Sequence, residues 1–151
     1  MKVTNTIFND GFSEIVLNRI KQDYSPEVAD AAAELVRKCE LGLNTYEDLK
    51  SSNAGKTIKA IRTRRKIQRD GLFEFMRFVV NRKKKLEGFT LLNEKNYYHL
   101  TCEYLIPEFA RNINEIHIEA SGDGSVVFTD ELIEQAKKIL TDHNIVIPIP
   151  R

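Results

Sequence analysis

Apolar residues recur at helical spacing through the first 70 positions, and the pattern becomes mixed beyond them. A first helix is expected after Ser13, with Phe12, Ile15, Val16 and Ile20 on one face. Ser25-Pro26-Glu27 reads as a second helix start. The serine can cap exposed amides, the proline brings a preset φ, and the glutamate suits the positive end of the helix dipole. Val28, Ala32, Leu35, Val36 and Cys39 then form an apolar stripe, and Gly42 is a natural stop. Thr45 predicts a short third helix, with Asp48 completing a variant capping box and Tyr46 and Leu49 facing inward. After the turn at Ser51 to Gly55, a helix over Lys56 to Asp70 rests on Ile58, Ala60 and Ile61, and Gly71 ends it.

From Leu72 two periods compete. Leu72, Met76, Val79 and Val80 suit one helical face, whereas Phe73, Phe75 and Val79 suit a strand. The aromatic and β-branched content favours a hairpin, with Asn81 to Lys85 as a basic tip and Phe89 to Leu92 as the returning strand. Tyr97, Leu100, Thr101, Tyr104 and Leu105 predict a helix from about Asn96, bent or ended by Pro107. Glu115 to Glu119 alternates as a strand, Gly122-Asp123-Gly124 makes a tight turn, and Val126-Val127-Phe128 returns. Thr129 caps a helix to about Leu140, and Ile145-Val146-Ile147 forms an edge strand that Pro148 and Pro150 keep from further pairing. The expected fold is therefore α+β. A helical part over residues 1–93 precedes a helix and a small β-β-α-β part over residues 94–151, with one continuous globular domain as the alternative division.

Charge sharpens this picture. The 151 residues carry a net charge of only +1, but its distribution is uneven. Met1 to Leu49 holds 5 basic against 9 acidic residues and Phe89 to Arg151 holds 5 against 10, whereas Lys50 to Gly88 holds 13 against 3. A block at +10 between acidic segments is the asymmetry that a polyanionic partner requires.

Three features coincide on that block: Thr45-Tyr46-Glu47-Asp48-Leu49, then Gly55-Lys56-Thr57-Ile58-Lys59-Ala60-Ile61-Arg62, then Arg82 to Lys85. Their order, a short helix, a basic helix and a basic-tipped hairpin, resembles a winged helix-turn-helix over somewhat under half of the chain. That resemblance implies a third helix in the major groove of duplex DNA and a wing along a phosphate backbone. Lys59, Arg62 and Arg65 are the candidates for base edges. Lys56, Arg69 and Arg82, Lys83, Lys84 and Lys85 would hold phosphates, with Arg64 and Lys66 on the same basic helix. The expected function is a small DNA-binding regulator or accessory protein. The alternative is an interaction module or inhibitor whose basic face docks on an acidic protein, and the acidic flanks could also neutralise the block within the chain. RNA binding through the hairpin and exposed aromatics is a third reading. A homodimer would use the edge strand and the helix near Tyr104.

Other chemistry is thinly represented. Ala54-Gly55-Lys56-Thr57 ends like a phosphate-binding loop, but Lys50 stands where its first glycine belongs. His99 and Cys102 have no second ligand pair for zinc. His117, Ser121 and Ser125 are neighbours without a nucleophile-elbow pattern, so no catalytic group, metal or cofactor is expected. The opening residues lack a signal-peptide core and no apolar run reaches 18 residues. The basic stretch has too few bulky apolar residues to insert in a membrane interface. With two cysteines at no paired spacing, a cytoplasmic protein with reduced thiols is the expectation.

Overall fold

The structure, a computed structural model, describes residues 11–82, 84 and 87–151. Seven α-helices appear among them: α1 (Phe12–Asp23), α2 (Pro26–Ala54), α3 (Ile61–Asp70), α4 (Leu72–Asn81), α5 (Glu87–Glu94), α6 (Cys102–Ser121) and α7 (Asp130–Asp142). A 3-10 turn, Tyr98–Leu100, precedes α6. The described residues contain no strand, so the α+β expectation and its β-β-α-β part are wrong.

Local signals held where they depend on neighbours in sequence. Ser25 Oγ accepts from the Val28 amide at 3.1 Å with Pro26 opening α2, and Thr129 Oγ1 accepts from the Leu132 amide at 3.2 Å at the start of α7. Replacing Thr129 with alanine should cost about 1 kcal/mol, read as a lower urea midpoint at unchanged slope.

The expected stop at Gly42 and fresh start at Thr45 do not occur, because α2 runs through both. Gly42 serves packing instead. A Cβ there would stand 2.9 Å from the Leu100 carbonyl oxygen, so the bare backbone lets the 3-10 turn lie against α2. Gly42→Ala should push that turn away and destabilise by about 1–3 kcal/mol in denaturant unfolding.

The hairpin expected over Leu72 to Leu92 is replaced by α4 and α5. Leu72, Phe73, Met76, Val79 and Val80 are all buried, a stripe at helical spacing that packs on α6 and α7. Burial of this stripe outweighs the weak β preference of phenylalanine and valine. Without the hairpin there is no wing, and residues 55–60 make a longer link between α2 and α3 than the usual three to four residues of a helix-turn-helix.

Glu115 to Glu119 likewise belongs to a helix. Pro107 is buried inside α6, which loses one backbone hydrogen bond there but continues to Gly122, whose left-handed φ of 70° ends it. The expected strand at Val126 to Phe128 has a side chain in place of a strand partner. Asn114 Oδ1 accepts from the amides of Val127 and Phe128, both at 2.9 Å, and its Nδ2 donates to the Phe128 carbonyl at 2.8 Å. Ile145 to Ile147 is also unpaired as a strand. The tail beyond it is fastened by Arg151, whose amide donates to the Glu108 carbonyl at 2.9 Å.

One apolar cluster joins the helices, from Phe12 and Val16 in α1 through Leu35, Met76, Ile106 and Phe109 to Leu140 and Ile145. The basic helix α3 contributes only Ile67 to it, which leaves most of its circumference for other uses.

Candidate nucleic-acid interface

α3 begins without a side-chain cap at Ala60, and a distant residue supplies one. Glu47 of α2 is 1% exposed, and its Oε2 accepts from the Ala60 amide at 2.8 Å and from Arg64 Nε at 2.9 Å. Its Oε1 accepts from Arg64 Nη2 at 2.9 Å, and the same nitrogen donates to Asn44 Oδ1 at 2.7 Å. Burial pushes the Glu47 carboxyl up, but the bonds from Arg64 and the Ala60 amide outweigh it and hold the group below its ordinary value. Ser51 adds a second tie, accepting from the Ile58 amide at 2.8 Å and donating to the Ile58 carbonyl at 3.2 Å. The linker and the rotation of α3 are thus set from α2.

With Arg64 turned inward, helical geometry puts Arg62, Arg65 and Arg69 on the opposite face at i, i+3 and i+7, and all three are exposed. Lys56 and Lys59 are exposed in the preceding linker rather than on the helix. Lys66 lies to one side, its Nζ 4.4 Å from the Phe78 ring centroid and 3.2 Å from Asp70. Arg82 approaches the same ring, with Cζ at 5.2 Å, so Phe78 joins the basic side of α3 to the turn after α4. Lys84 is exposed in that turn, while Lys83 and Lys85 lie outside the described residues.

Neutralisation within the chain is partial. Lys50 pairs with Glu87, Arg64 with Glu47, Arg77 with Glu74, and Lys66 and Arg69 share Asp70. Hydrogen bonds from Arg69 and Lys66 hold Asp70 far below the ordinary carboxylate range. Lys56, Lys59, Arg62, Arg65, Arg82 and Lys84 make no ion pair among the described residues. Arg77 is occupied elsewhere, donating to the Val127 carbonyl at 2.7 Å and to the Tyr24 hydroxyl at 3.2 Å.

Two residues of this region escaped sequence reasoning. Phe78 is 40% exposed between two cations, and a helical reading of Leu72, Met76, Val79 and Val80 would have turned it outward. Glu47 was read only as part of a helix start, and its partner lies 17 positions away.

The remaining candidates do other work. Gly55 carries a left-handed φ of 70° and ends α2, so Gly55-Lys56-Thr57 follows a helix rather than the strand that a phosphate loop needs. No group of three or more metal-ligating side chains occurs among the described residues. His117 Nε2 lies 3.0 Å from Ser125 Oγ, which donates to Asp123 Oδ1 at 2.6 Å. The Ser125 hydroxyl is thus directed at the Asp123 carboxylate, not set up to pass its proton to the imidazole as general-base activation requires. Hydrogen bonds from the Ser125 hydroxyl and amide and from Ser121 bring Asp123 down to about 2, as in a clasped loop. Burial pushes the Cys39 thiol up to about 12 and raises Cys102 as well, so neither is a thiolate near neutrality. No helix among the described residues is long and apolar enough to cross a membrane. No known protein family, curated protein or solved structure matches this chain.

Proposed function

We propose that the chain binds nucleic acid, duplex DNA in the first instance, through the outer face of α3. The observation that carries this reading is the pair Arg62 and Arg65, exposed on one helical face and without an acidic partner among the described residues. Lys56 and Lys59 extend the positive surface along the linker, and Arg82 and Lys84 extend it beyond Phe78. Arg69 contributes less because Asp70 already answers its charge. Arg64 is a positioning residue that orients the face through Glu47.

Phosphates are the expected ligands of such a face, since each neutralised phosphate releases condensed counterions. Fluorescence anisotropy of a labelled random-sequence duplex, titrated at several salt concentrations, tests the reading. With about four to six phosphates engaged, log K should fall against log salt with a slope near −4 to −5. Absence of binding even at low salt would overturn the proposal and favour an acidic protein as the partner of this face.

A further inference from the structure

A cavity of about 540 Å³ opens behind the basic helix, between α2, α3, α4, α5 and the start of α6. Its size falls within the range of small-molecule sites. The walls are apolar, chiefly Leu43, Ile67, Phe75, Val79, Phe89 and Leu92. One acceptor in the lining, Glu87, and one behind the lining residue Ala60, Glu47, are already engaged. Glu87 accepts from Lys50 Nζ and from the Tyr46 hydroxyl, both at 2.8 Å, and Glu47 takes the Ala60 amide. Glu103, also in the lining, is buried in the first turn of α6, where the helix dipole favours its charge. Of the remaining lining groups, the Arg62 guanidinium can only donate, and the Thr63 hydroxyl can donate or accept. Arg62 makes no ion pair and Thr63 makes no side-chain hydrogen bond among the described residues, and both line the cavity.

From this arrangement we infer a binding site for an apolar carboxylate, whose acyl or aryl body fills the cavity while its headgroup meets the Arg62 guanidinium. A carboxylate matches that fork with two parallel hydrogen bonds, and its charge is opposite to that of Arg62, which makes no ion pair among the described residues. A neutral analogue of the same length would leave Arg62 solvated and bind through the walls alone. An amine would place like charges together.

Displacement of the neutral fluorophore N-phenyl-1-naphthylamine tests the inference, with dodecanoate, dodecanol and dodecylamine compared below their micellar concentrations. Dodecanoate should displace the probe at concentrations about tenfold below dodecanol, with dodecylamine weakest. Arg62→Ala should abolish the preference for the acid and leave dodecanol unchanged. Arg65→Ala, which alters the outer face but not the cavity lining, should retain the preference. Thr63→Trp, checked for native circular dichroism, should narrow the mouth and weaken all three. Equal displacement by acid and alcohol in the unmodified protein, an unchanged preference in Arg62→Ala, or no probe fluorescence would overturn the site. None of these outcomes depends on nucleic-acid binding, which is read separately with the labelled duplex.

Discussion

Replacing Arg62 and Arg65 together with alanine should reduce duplex binding at least tenfold at about 0.1 M salt and flatten the salt dependence by about two units of slope. The flattening follows from losing two phosphate contacts, each of which contributes about 0.9 to the slope. Both side chains are exposed and make no ion pair among the described residues, so the double variant should unfold within about 0.5 kcal/mol of the parent. Arg69→Ala supplies the internal comparison. Its guanidinium already faces Asp70, and its removal should change the slope by less than either outer arginine does. An intact slope in the double variant would remove α3 from the interface.

Arg64→Ala should have the opposite profile, a large loss of stability. The guanidinium is 12% exposed and is the main partner of a carboxylate that is 2% exposed. Truncating it leaves Glu47 buried with the Ala60 amide as a remaining donor, and breaking such a pair costs about 3–5 kcal/mol. Arg64→Lys should rescue little, because one ammonium cannot reach Asn44 and both Glu47 oxygens in the way the fork does. The pH dependence has a defined sign. Glu47 has a lower pKa folded than unfolded, so its contribution is complete above the ordinary glutamate value of 4.5 and is lost as pH falls through the lowered native value. Urea midpoints for parent and Arg64→Ala between pH 7 and pH 3 should therefore converge toward the acid end. Parallel curves would show that this pair does not organise the basic helix.

How much of this was legible beforehand depended on the range of the interaction. The starts of α2 and α7 were readable because Ser25 and Thr129 act on amides three residues ahead. The helix expected over Lys56 to Asp70 was readable only in its second part: it begins at Ile61, residues 56–60 lie in the linker, and Ile67 rather than the exposed Ile61 is its buried anchor. The strands were misread where short apolar runs carry little period of their own. Val127 and Phe128 look like a strand because their backbone groups are bonded in an extended segment, but the partner is the Asn114 amide. Leu72 to Val80 carries aromatic and β-branched residues that suit a pleated sheet, and only its packing on α6 and α7 makes it a helix.

The candidate site shows the same division. Exposed Arg62, Arg65 and Arg69 follow from the helical period once one residue of the turn is known to face inward. Which residue that is could not be read locally, because an arginine turns inward only for a buried acid, and Glu47 is remote in sequence. The resemblance to a winged fold rested on the hairpin, and of its basic tip Arg82 lies against the Phe78 ring and Lys84 is exposed.

Location of the contact is the most direct test of the central claim. Backbone amide resonances of the isotope-labelled protein, followed by two-dimensional NMR during titration with a short duplex at low salt, report it residue by residue. The account predicts shifts concentrated between Lys56 and Asp70 and around Phe78 to Lys84, with α7 and the tail from Ile145 to Arg151 unaffected. Shifts confined to α7 or the tail, or none at all at saturating duplex, would contradict it.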